Sequence, residues 1–161
     1  MPSSLPRAGF WRRIGALVYD WLLVASVLII AQALYFFVVA LLVWSELITL
    51  APGQDIANYI SGNRVNSLYL LSWIVAFYAY FWAAAGQTLG MKAWRLRVQN
   101  IDGSRLRPTQ AVLRALAAML GLGNLAVLLT SEQLAWQDKV ADCEVVVLPK
   151  AVKSKSGPAA Q

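Results

Sequence analysis

Three ionisable side chains stand where a chain normally avoids them: Arg13, Asp20 and Arg114 lie within or at the margins of long apolar runs. A charge in hydrocarbon is costly unless it finds partners, so such positions mark ion or proton paths or locks between helices. Asp20 follows Arg13 by seven residues. In a helix those seven residues return to within about 20° of the same face, about 10 Å further along the axis. Ala16 lies on that face too and leaves space for a neighbouring helix. The stripe Arg13, Ala16, Asp20 is therefore expected to face protein rather than lipid. A fourth charge, Asp138, sits in Gln137-Asp138-Lys139 on a predicted short helix from Ser131 to Ala141, with Thr130 and Gln133 at capping-box spacing. If the apolar segment before it turns back, Arg13, Asp20, Arg114 and Asp138 converge near the cytoplasmic interface as a self-neutralising set. Two chemistries fit that set. Asp20 titrates or binds a cation along a transport path, or the charges form a fixed lock that holds the helices in register. Residue types and spacing do not choose between them. Gln32, deeper in the first apolar run, is expected to hydrogen-bond another helix.

Much other chemistry is excluded by composition. The chain has no histidine and one cysteine, Cys143, which removes His-based general bases, Ser-His-Asp arrangements and ordinary zinc sites. A lone cysteine forms no intramolecular disulfide, and Cys143 reads as a small packing residue. No enzyme activity, metal or cofactor is expected. The net charge of +6 suggests an anionic partner, but the basic residues flank apolar runs. That placement points to a lipid bilayer with anionic headgroups and not to nucleic acid. Gly86 to Lys92 lacks P-loop spacing, so its glycines are expected to serve a turn or close helix packing.

The elements that must position these residues are membrane helices. Of the 161 residues, 59% are hydrophobic and only 14% charged, against about a quarter charged in soluble domains. From Trp21 to Ser45 there is no charge, and a second charge-free run extends from Val65 to Met91. Each exceeds the roughly 20 residues a helix needs to cross hydrocarbon. The aromatic second run, with Trp73, Tyr78, Tyr80 and Trp82, is expected to contact lipid and pack against helices rather than cage a ligand. A cleaved leader with a site near Ala31-Gln32-Ala33 is disfavoured, because the apolar run continues to Trp44. Arg7, Arg12 and Arg13 precede the first span, and Lys92, Arg95, Arg97, Arg105, Arg107 and Arg114 follow the second. The loop between them, about 46–64, holds only one basic residue, Arg64, and has turn signals at Pro52-Gly53 and Ser61-Gly62-Asn63. The positive-inside rule then places the N-terminus in the cytoplasm.

A third apolar segment, Thr109 to Thr130, is broken by Gly121-Leu122-Gly123-Asn124. It crosses fully or turns back. Leu96, Val98 and Ile101 before Asp102-Gly103, with Leu106 beyond, predict a hairpin, and Glu144 to Leu148 reads as a further strand. That strand can join the hairpin only from the same side, which favours a re-entrant segment and a cytoplasmic C-terminus. The expected fold is an all-α membrane protein of two full transmembrane helices and a third, short or re-entrant helical segment, with a small cytoplasmic β-hairpin. One membrane domain covers 1–148, with spans at about 16–45 and 66–88 and the third segment at about 109–131. The tail at 149–161, rich in Lys, Ser, Gly and Pro, is expected to be disordered.

These residues carry a family resemblance. Gly9-Phe10-Trp11-Arg12-Arg13-Ile14-Gly15-Ala16, ending at Asp20, resembles the opening of the RDD family of small membrane proteins, named for one arginine and two aspartates. Gly86-Gln87-Thr88-Leu89-Gly90-Met91-Lys92, then Leu96-Arg97-Val98 and Asp102-Gly103, is similar to its central signature. Leu113-Arg114 and Gln137-Asp138-Lys139-Val140-Ala141, then Val145-Val146, resemble its end. The resemblance makes Arg13, Asp20 and Asp138 the named residues. Asp142-Cys143 stands where the family tends to have Gly-Thr, which affects the local turn. Transport, including cation/proton exchange, is what the resemblance implies for some members. Two or three helices enclose little volume, so a pore would form between copies of the chain or with a membrane partner. A non-catalytic scaffold or assembly factor, with a purely structural charge cluster, is the other reading.

Overall fold

The computed structural model describes residues 5–129 and 132–150, apart from the side chains of residues 119 and 120. Helix α1, Phe10–Trp44, is a single 35-residue element. Its buried residues are Arg13, Ala16, Asp20, Val24, Ala31 and Val39. They recur at helical spacing, so the stripe read from Arg13 to Asp20 continues along the whole helix as its protein-facing edge. The remaining surface is inverted relative to a soluble protein: Leu22, Ile29, Ile30 and Phe37 are each more than 60% exposed. Lipid is the solvent that makes such a surface favourable. Helix α3, Arg64–Ala85, is the second element long and apolar enough to cross a membrane. It leans on α1, where the Tyr69 hydroxyl donates to the Ala31 carbonyl (3.1 Å) and the Tyr35 and Tyr69 rings sit 5.2 Å apart.

Between the spans the chain forms a short helix α2, Ile56–Ser61, that the turn signals did not announce. The Asp55 carboxylate caps it by accepting from Asn58 N–H at 2.7 Å, and Asn63 caps α3 by accepting from Val65 N–H at 2.8 Å. Gln32, half-buried, lies with Ile60 and Asn66 along a cleft beside α2.

At the other end α3 stops at Gly86, whose left-handed backbone (φ 68°) turns the chain into helix α4, Leu89–Ala93. Strand β1, Leu96–Asn100, follows. The turn at Asp102-Gly103 is present, with Gly103 N–H on the Asn100 carbonyl and Ser104 N–H on Asp102 Oδ1, both at 2.9 Å. The chain leaving that turn does not run back along β1. Leu106 drops into the core, and Pro108 opens helix α5, Pro108–Ala117, whose first turn is closed by the Gln110 side chain accepting from Arg107 N–H at 2.9 Å. The small antiparallel sheet is instead closed by β2, Cys143–Val147, with Leu96 opposite Val147 and Asn100 opposite Cys143. The run of valines gives β2 the apolar, β-branched surface that the polar residues 102–105 lack.

The free edge of β2 takes up the chain just before α1: Ala8 N–H donates to the Val145 carbonyl and Val147 N–H to the Pro6 carbonyl, both at 2.8 Å. Strand β2 is thus held between β1, which follows α3, and the segment that begins α1. The third apolar segment therefore starts and finishes at one end of the helix pair. It does so through a sharp break, with Pro108–Ala117 and Gly121–Leu129 meeting at 82°. A 3-10 helix, Met119–Leu125, and a short α6, Ala126–Leu129, form its second limb. Gly121 makes the break possible: its φ is 101°, and a Cβ there would press on the Leu17 side chain of α1. Helix α7, Trp136–Val140, begins later than the sequence suggested. Thr130 and Ser131 lie outside the described residues, as does the tail from 151 onward.

Beneath the helices, Ala8, Leu96, Val98, Ala111, Cys143 and Val145 form a core no more than 3% exposed. It is small, but it anchors the ends of α1, α3 and α5 together.

Candidate functional site

The charged residues separate into two constructions on neighbouring walls. In the first, Asp138 receives two guanidiniums. Arg13 Nη1 lies 2.6 Å from Asp138 Oδ2, and Arg114 Nη2 lies 2.8 Å from Oδ1. All three side chains are at most 4% exposed. Arg13 also donates from Nε to the Ala8 carbonyl (2.9 Å) and from Nη2 to the Gln133 carbonyl (3.1 Å). Asp138 Oδ2 further accepts from Ala135 N–H at 3.2 Å, which caps α7. Burial alone would raise the Asp138 carboxyl, but the Arg114 and Arg13 guanidiniums together hold it below the usual carboxylate range. One carboxylate therefore ties α1, α5 and α7 into a single unit. Such a lock is costly to desolvate and still more costly to half-dismantle.

The second construction holds Asp20. Among the described residues no salt bridge reaches it. Thr88 Oγ1 donates to Asp20 Oδ2 at 2.5 Å, and Gly90 N–H donates to Oδ1 at 2.9 Å. Thr88 in turn caps α4, its hydroxyl oxygen accepting from Met91 N–H at 3.2 Å. The carboxylate thus sits on the first turn of α4, where free N–H groups favour negative charge. Contact is this close because residue 90 is glycine: a Cβ there would overlap the Ala16 carbonyl oxygen and crowd the Asp20 carboxylate. Gly86 and Gly90 thus serve a turn and close packing, as the sequence suggested.

Between the two constructions lies a cavity of about 280 Å³. Arg13, Asp20, Tyr78, Trp82, Arg114 and Gln137 line it, together with apolar residues that include Val24, Leu28, Ile74, Leu96 and Val145. Tyr78, Trp82 and Arg114 form a stack, with rings 5.1 Å apart and the guanidinium carbon 4.0 Å from the Trp82 ring centre. Among the described residues, Tyr78 Oη, Trp82 Nε1 and Arg114 Nε have no hydrogen-bond partner. Cys143 lies against the lock, and burial pushes its thiol up to about 11 despite the nearby Arg114. Among the described residues no group of three or more His, Cys, Asp or Glu side chains is placed to hold a metal ion.

The order of these motifs along the chain decides the family. The RDD family model matches residues 7–142, most of the chain and all of the lock. The chain belongs to the RDD family. RDD proteins are small membrane proteins, which agrees with two apolar spans and a lipid-facing surface. The chain matches no curated protein and no solved structure.

Of the four charges read from the RDD-like sequence, the fold brings Arg13, Arg114 and Asp138 into direct contact and gives Asp20 different partners on a neighbouring wall of the cavity. Sequence reasoning missed Thr88, whose signal was a hydroxyl one residue before a short apolar helix, the ordinary N-cap position. It also assigned Tyr78 and Trp82 to lipid contact and packing. Trp82 is 6% exposed and turned inward, a placement that only the position of α5 reveals.

Proposed function

We propose that the chain is a small, multi-pass, non-catalytic protein of the inner membrane with a transport-associated role, in which Asp20 is the proton- or cation-responsive group. One observation carries this: among the described residues Asp20 is a carboxylate on the cavity wall held by a hydroxyl and a backbone N–H with no salt bridge, whereas Asp138 is paired with two arginines. A carboxylate without a fixed counter-charge can change its proton or cation occupancy without pulling apart the helices. Two spans enclose too little volume for a through-path, so a second copy or another membrane protein completes it. The N-terminus faces the cytoplasm, with the exposed Arg12, Lys92, Arg95, Arg105, Arg107 and Lys139 meeting anionic headgroups.

The test is cation- or pH-driven flux in vesicles containing purified wild-type chain or Asp20→Asn. Flux that Asp20→Asn abolishes supports the reading. Flux that persists unchanged removes Asp20 from the path.

A second reading, a non-catalytic scaffold, is favoured by the saturation of both carboxylates: each oxygen of Asp20 and Asp138 already accepts a hydrogen bond. It predicts no flux at any pH, together with loss of folded protein when Arg13 is replaced.

A further inference from the structure

We infer that α1 pairs with α1 of a second copy of the chain, through a lipid-facing seam centred on Gln32. Ala25, Ile29, Gln32 and Phe36 follow one another at spacings of four, three and four residues. That spacing makes the stripe along which two helices cross at a shallow angle, each side chain seated between those of the other helix. The stripe lies about a third of a turn from the buried edge that runs from Arg13 to Val39, so packing within the chain does not use it. Ile29 is 70% and Phe36 44% exposed, and Ala25 is exposed as well. Ala25 also lines the cavity that holds Asp20, so a helix laid along the seam runs past that cavity.

Gln32 selects the partner. It is half-buried, it lines the cleft beside α2, and among the described residues its amide makes no hydrogen bond. It stands eleven residues from Trp21 and twelve from Trp44, about 17 and 18 Å from the aromatic ends of the charge-free run. The exposed side chains of Ile29 and Phe36 flank it one turn to either side. An amide in such surroundings is costly until it finds a partner, and polar side chains within membranes bond from helix to helix. The amide carries an acceptor and two donors, so it is complementary to itself. Copies inserted in the same orientation hold residue 32 at the same depth, and about a twofold axis each Gln32 donates to the other. A different membrane protein would need a polar group of its own at that depth, whereas a second copy always has one. Ala33 and Ala57 beside Gln32 are small and let another backbone approach. Asn66 is the other amide of the cleft, but its unpartnered Oδ1 is sealed within the chain and takes no part.

This inference deepens the transport-associated reading, since it names the second copy that reading calls for, yet it is measured without flux. Full-length chains carrying a donor or an acceptor fluorophore on the N-terminal amine are mixed in phosphatidylcholine vesicles over a range of protein-to-lipid ratios. Energy transfer should rise and saturate as a dimer requires. Gln32→Leu should weaken dimerisation about three- to thirtyfold, the worth of an interhelical hydrogen bond in a membrane, and Gln32→Asn should keep most of it. In detergent, diluted until the chain is monomeric, Gln32→Leu should not lower the thermal unfolding midpoint, because the amide has no partner in its own chain to lose. On oxidation in vesicles, Ile29→Cys should cross-link between copies, and Ile30→Cys, about 100° round the helix, should not. Both positions are 70% exposed, and the buried Cys143 does not compete. If one variant fails to fold, the others still decide. A wild type that stays monomeric at every ratio overturns the inference, and so does equal cross-linking of the two cysteine variants. Gln32→Leu that dimerises like wild type overturns it as well, and rapid reaction of Gln32→Cys with a water-soluble maleimide assigns the cleft to water. Dimerisation without Asp20-dependent flux removes the transport reading alone, and Asp20-dependent flux from a monomeric chain removes this one alone.

Discussion

Asp20 on α1 and Gly90 on α4 meet across the elbow that follows the second span, with the Gly90 N–H 2.9 Å from the carboxylate and no room for a side chain between them. This contact makes α4 a strap across α1. Gly90→Ala should therefore force the strap off the helix, a packing strain of about 1–3 kcal/mol plus the loss of a charge-assisted hydrogen bond. Gly62→Ala is the matched control, since its Cβ would meet only the Asn58 carbonyl oxygen at 3.5 Å, an ordinary contact. Folded yield and thermal unfolding in detergent should drop for the first and hold for the second. Equal stability would show that α4 is not held by Asp20.

The lock makes an unequal prediction for its members. Asp138→Asn strands two buried guanidiniums beside each other, at a cost of about 3–5 kcal/mol. Arg13→Gln leaves Asp138 still paired with Arg114 at 2.8 Å and should cost less. Chemical or thermal unfolding of both variants checks the order. A reversed order would mean that Arg13's bonds to the Ala8 and Gln133 carbonyls matter more than the ion pair.

The pH dependence of stability follows from the same carboxylate. Asp138 is held below the ordinary range in the folded protein, so the unfolded chain binds its proton more readily. Its contribution is complete above the unfolded value, about 3.9, and is lost as pH falls through the lower folded value. Between pH 5 and 8 Asp138 should give the unfolding temperature no pH dependence, and an acid limb below about pH 4 should vanish in Asp138→Asn.

Cys143 supplies a folding probe. Its thiol is 3% exposed and pushed up to about 11, so at neutral pH it is neither reachable nor ionised. Maleimide labelling of the native protein should be negligible at pH 7.5 and complete after denaturation. Fast labelling of native protein would place β2 away from the lock.

A purely local code was legible without coordinates. Uninterrupted apolar runs fix two membrane helices because hydrocarbon leaves backbone groups no partner but their own helix. The seven-residue spacing fixes Arg13 and Asp20 on one buried face, and the 3.6-residue turn allows no other outcome. Four charges in apolar surroundings announced partners within the protein. Tertiary structure alone decided which partners. Arg13 and Asp138 are 125 positions apart, and only the sharp break at the glycines brings α7 back beneath α1. The same return placed the Cys143–Val147 strand against Leu96–Asn100, where a hairpin turn had suggested a nearer partner. It also turned Trp82 inward beneath Arg114. Hydropathy reports how much a residue dislikes water, whereas the choice among several distant partners rests on how the helices pack, which no single stretch of sequence contains.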